Sequence, residues 1–361
     1  MELSYRTETL RLAAPFRISR SVDVTVDVIV VQVSAGGITG YGEAQPQDRY
    51  GESVQSASAF LDGAGELPGD DPFALEEIGG RLAARPGEMA AKAALDAALH
   101  DLCGKIAGLP VSRLLGLPRA GPPTSWTIWL GDPDDMARRA EQVRGFERLK
   151  LKLGGRDGLD VERVRGVRSV TGLPLMVDVN EYWDVDEAIE NVGALAGLGV
   201  EYVEQPLPAG DPGGPRLKAA SKLPIYVDED CHTLADVAAC ADRAHGVNIK
   251  LAKSGGIREA IRIAHAARAL GLGVMLGCMI ESGLGIAAGC AVAPLCDHID
   301  LDGNLLLAED PWEGVEFVDG VQVPSAEPGL GVRRRDEVLP SEATGQTSSA
   351  RNAEHFSRRS R

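Results

Sequence analysis

The sequence predicts an α/β protein, namely a barrel of alternating strands and helices preceded by a smaller α+β unit. Short apolar runs rich in β-branched residues recur roughly every 25 residues from Leu149 onward, and segments of helical period separate them. Each run ends in a charged, polar or glycine residue. In a (β/α) barrel the carboxyl ends of the strands converge on one site, so the same pattern predicts where that site lies.

The first of these runs, residues 149–153, alternates leucine and lysine. As a strand it directs Lys150 and Lys152 to one face and the leucines to the other. Two ammonium groups on an inward face repel each other and lose hydration, and both effects favour the neutral, basic form of lysine. Taken alone, the run also suits an edge strand with its lysines in water, but the runs that follow it favour the barrel.

The region before the barrel has a different pattern. Residues 24–33 are rich in valine and precede a Gly-Gly turn and residues 38–43, which indicates a β-hairpin. Residues 90–106 have apolar side chains at helical spacing, and Gly and Pro follow them. We therefore expect an α+β capping domain over residues 1–118 and the barrel over residues 119–307.

Beyond the barrel the chain returns to strand-like pieces at residues 315–318 and 320–323. They fall within residues 308–332, which we assign to a return of the chain to the capping domain. Residues 333–361 are polar and rich in Ser and Arg, so we expect a disordered tail there.

Composition narrows the range of functions. The 361 residues carry a net charge of −16, which argues against nucleic acid or an anionic membrane surface as a partner. The six cysteines include no C-x-x-C pair and follow no signal peptide, so we expect reduced thiols in a cytoplasmic protein. The most apolar stretch, residues 271–296, contains Glu281 and many glycines, which suits a barrel core better than a membrane span. A homo-oligomer is left open.

Three carboxylates end successive predicted strands of the barrel: Asp178, Glu204 and Asp228. One such residue is usually a strand-end cap or a solvated charge, but three that converge repel one another strongly unless a cation is present. An all-oxygen set of this kind suits Mg²⁺. Glu229 points the other way from its neighbour in a strand. The histidines are not spaced as a metal-binding set, so we expect structural or surface roles for His232, His245 and His298.

This array of charged strand ends resembles the enolase superfamily and, within it, the muconate-lactonising subgroup, which has Lys-x-Lys on the second barrel strand. The resemblance covers about residues 10–325. It implies a (β/α)7β modified TIM barrel with a capping domain formed by the N-terminal part and the C-terminal segment. The mandelate-racemase branch would have a histidine in place of Lys250, and this sequence does not.

The resemblance also implies roles for the charged residues. Lys152 and Lys250 would act as acid and base on opposite faces of the substrate, and Lys150 would assist electrostatically. The carboxylates would hold Mg²⁺, with Asp178, Glu204 and Asp228 as its ligands.

Finer motifs resemble the dipeptide epimerases of the L-Ala-D/L-Glu type. Asp300-Leu-Asp302, followed by glycine, is similar to that group's Asp-x-Asp, which holds the α-ammonium of a small-molecule dipeptide substrate. At spacing i, i+2 in a strand both carboxylates face inward, where they supply the negative charge that an ammonium requires. Tyr50, in a motif over residues 49–53, is expected to contact the substrate on the same resemblance. Further similar motifs lie at residues 228–233, 248–256 and 276–279.

One position departs from that group. After Ser19-Arg20 the Ala-Glu epimerases carry a further arginine that meets the glutamate side chain of the substrate, and a gapless alignment places Asp23 there. This favours a neutral or cationic second residue in the substrate. The alternative is a shifted loop in which Arg20 contacts the substrate instead.

The implied reaction is removal of the Cα proton of the dipeptide's C-terminal residue to give an enediolate, with return of a proton on the opposite face. Three other enzyme activities suit the same barrel: N-succinylamino-acid racemase, o-succinylbenzoate synthase and muconate-type cycloisomerase. None of their substrates has a free α-ammonium, so Asp300 and Asp302 discriminate against them. A non-catalytic scaffold would have no reason to keep every charged strand end.

Overall fold

The computed structural model describes residues 1–336, which begin with a three-stranded antiparallel meander. Its strands are β1 (Glu2–Arg17), β2 (Val22–Ala35) and β3 (Ile38–Ala44). The predicted hairpin corresponds to the last two. The sequence does not predict the first, because most of its side chains are partly or fully exposed and only Leu10 and Leu12 are buried, so its apolar signal is weak.

Four helices follow the meander: α1 (Val54–Asp62), α2 (Leu75–Ala83), α3 (Met89–Ala107) and α4 (Val111–Leu114). The alanine-rich α3 packs directly on the sheet, with its first fifteen residues from Ala90 onward buried. Gly40 and Gly42 on β3 permit this close approach, because a Cβ atom at either glycine would collide with the backbone of α3.

Eight parallel strands follow in sequential order and form the barrel. They are β4 (Trp126–Ile128), β5 (Leu149–Lys152), β6 (Leu175–Asp178), β7 (Val200–Glu204), β8 (Ile225–Val227), β9 (Gly246–Ile249), β10 (Gly273–Gly277) and β11 (His298–Asp300). A parallel bridge between Thr124 and Ile299 joins the first strand region to the last, and the backbone N–H of Ser125 donates to the Ile299 carbonyl at 3.0 Å.

Helices cross between successive strands. They are α5 (Pro133–Gln142), α6 (Asp160–Val170), α7 (Val185–Ala196), α8 (Gly214–Ala220), α9 (Val237–Arg243), α10 (Leu251–Ser254), α11 (Ile257–Ala269) and α12 (Gly283–Val292). Because α10 and α11 both lie between β9 and β10, seven helical crossovers join the eight strands, which confirms the predicted (β/α)7β arrangement. None of the helices in residues 1–336 is both long and apolar enough to cross a membrane.

The leucine and lysine side chains of β5 point to opposite faces of the strand, as predicted. The leucines belong to the core between the strands and the outer helices, while Lys150 and Lys152 lie inside the barrel at 1 % and 8 % exposure. The edge-strand alternative is therefore wrong. Beneath the charged layer the barrel interior is filled by an aromatic and sulfur cluster, on which the His298 ring packs, formed by Met176, Tyr202, Tyr226 and Met275.

The segment after the barrel folds back onto the N-terminal elements. It forms β12 (Trp312–Glu313), β13 (Val315–Val318), β14 (Val321–Pro324) and β15 (Arg333–Arg334). The Ala308 N–H donates to the carbonyl of Arg11 at 2.8 Å, and the Leu330 N–H donates to the Asp101 carboxylate at 2.7 Å.

The start of the disordered tail was predicted too early in the chain, at residue 333. Arg333 and Arg334 pair with β12 as a two-stranded sheet, and the Arg334 guanidinium forms an ion pair with Glu8 on β1. Polar composition suggested disorder, but the stabilising partners are distant in sequence, where a local pattern gives no signal. The rest of the predicted tail, residues 337–361, lies outside the described residues.

Candidate active site

A cavity of about 620 Å³ lies between the carboxyl ends of the barrel strands and the loops of the meander. Residues from the barrel form one wall, with Thr127, Lys152, Asn180, Lys250, Cys278, Asp300 and Asp302 among them. Residues from the loops form the other, with Arg20, Ser21, Asp23, Gln45, Asp48 and Arg49 among them.

The three predicted metal ligands are fully buried at 0 % exposure, and a lysine ammonium contacts each one. The shortest ammonium-to-carboxylate distances are 2.6 Å for Lys152 and Asp178, 2.7 Å for Lys150 and Glu204, and 2.7 Å for Lys250 and Asp228. Buried charges of one sign are thus compensated by buried charges of the other.

The surroundings of Asp178 and Glu204 shift the pKa values of these two carboxyl groups in opposite directions. Burial disfavours the charged form of Asp178, but Lys152 and Lys150 more than offset this effect and lower its pKa. Burial and the neighbouring charge of Asp178 raise the pKa of Glu204. Burial likewise acts to lower the pKa of Lys150, but the carboxylates around it prevail and raise that pKa. This reverses the expectation from the sequence, which counted the repulsion between lysines and not the carboxylates that face them.

The donor set fits Mg²⁺ although the side chains do not surround an ion as they stand. Within residues 1–336 no three acidic, His or Cys side chains are close enough to share a metal, because ammonium groups lie among the carboxylates. Yet Glu204 Oε2 and both carboxylate oxygens of Asp228 are buried without an aligned hydrogen-bond donor. Buried oxygens with free lone pairs are what a hard divalent cation requires.

Lys152 and Lys250 stand on opposite sides of the cavity. Lys152 ends β5 and Lys250 directly follows β9, and four strand positions separate these two strands in a closed ring of eight. Both side chains line the cavity, and each residue is 8 % exposed. A substrate between them would present one face to each ammonium group.

The two acidic residues of the last strand region differ in their surroundings. Asp300 accepts hydrogen bonds from Lys150 Nζ at 2.7 Å and from Ser125 Oγ at 2.5 Å, and the lysines lower its pKa despite burial. Asp302 lies beyond the end of β11 and accepts a hydrogen bond from the Thr127 N–H at 2.7 Å. Burial and the charge of Asp300 raise the pKa of Asp302 to about 7.

Arginines from the meander loops are bound to the barrel by ion pairs. Arg20 lies 3.0 Å from Glu229 and 3.7 Å from Glu181, and Arg49 donates to both carboxylate oxygens of Glu181 at 2.5 and 2.6 Å. We call these four residues the loop clamp. Glu229 therefore pairs with a meander loop, as its expected orientation opposite to Asp228 implies. Burial and the charges of Asp228 and Asp178 nevertheless raise the pKa of Glu229 to about 8.

The backbone turns sharply just after β6, at Asn180 and Glu181, and this turn places Glu181 in the loop clamp. Asn180 and Glu181 have φ values of 49° and 71°, in the left-handed region that residues other than glycine adopt uncommonly. Such strain persists where the surroundings fix the conformation, and it concentrates at functional sites.

Two other predicted substrate contacts have different environments. Asp23 lines the cavity, and its carboxylate accepts a hydrogen bond from Ser21 Oγ at 2.9 Å. Tyr50 is not among the residues that line the cavity, and its ring packs edge-on against His232 with centroids 4.5 Å apart. Burial and the charge of Asp228 raise the pKa of Tyr50, so the residue is near the centre of the site, and its contact with a substrate stays a prediction.

Several buried polar residues of the site escaped sequence reasoning. Asn248 Nδ2 donates to Glu204 Oε1 at 2.7 Å, and its position two residues before Lys250 in an inward-facing strand could have indicated this. Burial and the charge of Glu43 raise the pKa of Glu281 to about 8, yet Glu281 stood out in the sequence only as an interruption of an apolar run. Lys253 had no signal apart from its proximity to Lys250.

Comparison with known protein families gives two matches. Residues 1–116 match the N-terminal domain of mandelate racemase / muconate lactonizing enzyme, and residues 135–338 match the enolase C-terminal domain-like family. Together these matches span most of the chain.

Characterised relatives are similar over almost their whole length. An L-Ala-D/L-Glu epimerase from Bacteroides thetaiotaomicron is 38 % identical, over 92 % of this chain and 88 % of the relative. A hydrophobic dipeptide epimerase from Roseobacter litoralis is also 38 % identical, over 92 % of this chain and 98 % of the relative. Among solved structures, a dipeptide epimerase from Enterococcus faecalis in complex with Mg and the dipeptide L-Leu-L-Tyr aligns with a TM-score of 0.87. It is 30 % identical, over 92 % of this chain and 98 % of that one.

Proposed function

Because the chain belongs to the mandelate racemase / muconate lactonizing enzyme family of the enolase superfamily, we propose that it is a Mg²⁺-dependent dipeptide epimerase. The reaction inverts the Cα of the dipeptide's C-terminal residue. The observation that carries this proposal is the placement of Lys152 and Lys250 on opposite sides of one cavity. Asp300 and Asp302 line the same cavity. Two bases on opposite faces are what a 1,1-proton transfer needs.

Asp178, Glu204 and Asp228 would hold the metal. When bound, a divalent cation stabilises the negative charge that develops on the substrate carboxylate as the Cα proton leaves. Every other contribution comes from side chains of this protein.

Proton transfer is the work of the two opposed lysines. In its neutral form one lysine removes the Cα proton from its own face and leaves an enediolate. The ammonium of the other lysine then delivers a proton from the opposite face, which inverts the centre. Lys152 and Lys250 exchange these roles when the reaction runs from the other epimer. Lys150 does not line the cavity, unlike Lys152 and Lys250. Its Nζ contacts Asp178, Glu204 and Asp300 at 2.7–3.2 Å, so we assign it an electrostatic role.

The free ammonium of the dipeptide would lie against Asp300 and Asp302, which fixes the orientation of the substrate. Hydrogen bonds to charged groups are worth about 1.5–3 kcal/mol each, so capping the ammonium should reduce binding and leave buried carboxylates unpaired. This distinguishes the dipeptide epimerase from N-succinylamino-acid racemase, the principal alternative, and from muconate-type cycloisomerase.

The decisive experiment compares kcat/KM for the free and the N-succinylated form of one amino-acid pair. We expect the succinylated form to be at least about a hundredfold poorer, which corresponds to about 2.7 kcal/mol. A preference for the succinylated substrate would overturn the epimerase and favour the racemase.

A screen of L,L-dipeptides then identifies the substrate. Incorporation of deuterium at Cα from D₂O reports proton exchange whatever the side chains are. No incorporation with any dipeptide, in the presence of Mg²⁺, would refute the proposed activity.

A further inference from the structure

Lys253 lies on α10, three residues after Lys250, and its side chain is 0 % exposed. Its Nζ donates to the backbone carbonyls of Asp228 at 2.5 Å, of Cys231 at 2.7 Å and of Asn248 at 2.8 Å. The same nitrogen lies 2.7 Å from Asp228 Oδ1. One ammonium thus joins the loop after β8, the strand β9 and the helix α10.

The Lys253 ammonium donates its hydrogen bonds to backbone carbonyls, while its charge acts on the nearby carboxylate of Asp228. An ammonium has three N–H donors, and three carbonyls use all of them. Asp228 Oδ1 therefore has the positive charge beside it but no aligned donor, in agreement with its lack of a hydrogen bond. The carboxylate is compensated electrically while its lone pairs remain open to a ligand.

We infer that Lys253 is a positioning residue that holds the backbone and carboxylate of Asp228 in place for a divalent cation, an inference that rests on the proposed metal site. Lys250, at 2.7 Å from Asp228 Oδ2, contacts the other oxygen of the carboxylate and faces the cavity. Lys253 stays on the buried side because it has no exposed surface and its donors are satisfied there. A buried ammonium held in this way is costly to create unless it is fully paired.

Removal of Lys253 should change the affinity for Mg²⁺ in the direction opposite to that expected from its charge alone. Removing a positive charge close to a metal site should strengthen cation binding if Coulomb repulsion were the whole effect. If Lys253 instead orients the metal ligand, its removal should weaken binding, because residues that orient ligands typically contribute about 10- to 100-fold in metal affinity.

The experiment measures Mg²⁺ binding by isothermal titration calorimetry without any dipeptide. We expect Lys253→Met, which keeps the length of the side chain and removes the charge, to raise the Kd for Mg²⁺ by about 10- to 100-fold. Lys92→Met is the matched control, because Lys92 is also buried and also donates to a carbonyl, that of Arg85, but lies on α3. It should bind Mg²⁺ as the wild type does. Wild-type or tighter binding by Lys253→Met would overturn the inference.

Lys253→Gln guards against a folding defect, because glutamine retains donors for the carbonyls but has no charge. Circular dichroism establishes that each variant is folded before titration. If neither variant folds, Lys253 serves the stability of the barrel and the positioning role is rejected. Since no substrate is present, a wild type that binds Mg²⁺ but does not epimerise dipeptides would contradict the proposed function and leave this measurement valid.

Discussion

The ammonium of Lys150 donates a 2.7 Å hydrogen bond to the carboxylate of Asp300 inside the barrel. Ser125 donates to the same carboxylate, so Asp300 is compensated before any substrate arrives. Asp302 receives no ion pair from a lysine within residues 1–336, and its raised pKa reflects that difference. The sequence suggested equal partners for a substrate ammonium, whereas the structure makes Asp302 the one whose charge is uncompensated.

We therefore expect unequal effects from the two amide substitutions. Asp302→Asn should raise the KM for a dipeptide about tenfold or more, since a charged hydrogen bond is worth about 1.5–3 kcal/mol. Asp300→Asn, unlike Asp302→Asn, should lower the Tm as well, because it removes a buried ion-pair partner from Lys150. Steady-state kinetics and thermal unfolding of both variants provide the measurement. Equal changes in KM with no difference in Tm would contradict this assignment.

The raised pKa of Asp302 predicts a pH dependence. Burial and the charge of Asp300 raise this pKa to about 7, so below pH 7 the carboxyl is protonated and cannot attract an ammonium. The value of kcat/KM should therefore fall as the pH decreases through 7. At higher pH the α-amino group of the dipeptide itself deprotonates, near about 7.7–8.0. In Asp302→Asn the acidic limb near pH 7 should vanish, and its persistence there would show that another group causes it.

The opposed lysines predict face-selective exchange. Lys152→Ala and Lys250→Ala should each abolish epimerisation, because one of the two proton transfers is then missing. Each variant should still exchange the Cα proton of one epimer with D₂O, and the two variants should differ in which epimer that is. Proton NMR measures the exchange, and Lys218→Ala, on the outer helix α8, is the control that should retain the wild-type rate. Interconversion at a near wild-type rate in either variant would rule out two bases.

Metal removal should abolish activity. EDTA treatment is expected to stop epimerisation and Mg²⁺ to restore it, because the carboxylates of Asp178, Glu204 and Asp228 form an all-oxygen set. Glu204→Gln should lose most of the affinity for Mg²⁺ in calorimetry while the barrel remains folded. Full turnover by metal-free protein would refute the site.

The loop clamp and Asp23 predict the character of the preferred side chain. Arg20 is engaged by Glu229 and Glu181, and Asp23 adds a negative charge to the cavity wall. L-Ala-L-Glu should therefore be a poorer substrate than a dipeptide with a neutral or cationic second residue. Asp23→Asn should raise kcat/KM for L-Ala-L-Glu, since like charges placed side by side cost several kcal/mol. A wild-type preference for L-Ala-L-Glu would contradict this interpretation of the cavity.

The sequence predicted what depends on local periodicity. Strand ends recur at regular intervals, so the barrel and its charged residues such as Lys152 and Asp178 could be placed from the amino-acid pattern alone. Contacts between residues remote in sequence could not be placed this way. The bond from Lys150 to Asp300 spans 150 positions, and the pair of Arg334 with Glu8 spans 326. The pKa of Lys150 was misjudged for the same reason, because the direction of its shift depends on which charges the fold brings together.

The return of the last described residues to β1 has a consequence for protein synthesis. A ribosome delivers the meander first, long before residues 308–336, which cover it and bond to Arg11 and Glu8. The barrel likewise cannot close until Ile299 emerges to meet Thr124. Since long-range pairing is slow and unpaired strand edges invite aggregation, the edges of the nascent chain stay exposed until these residues have emerged. The meander and the barrel therefore complete their packing only after residues 308–336 have left the ribosome.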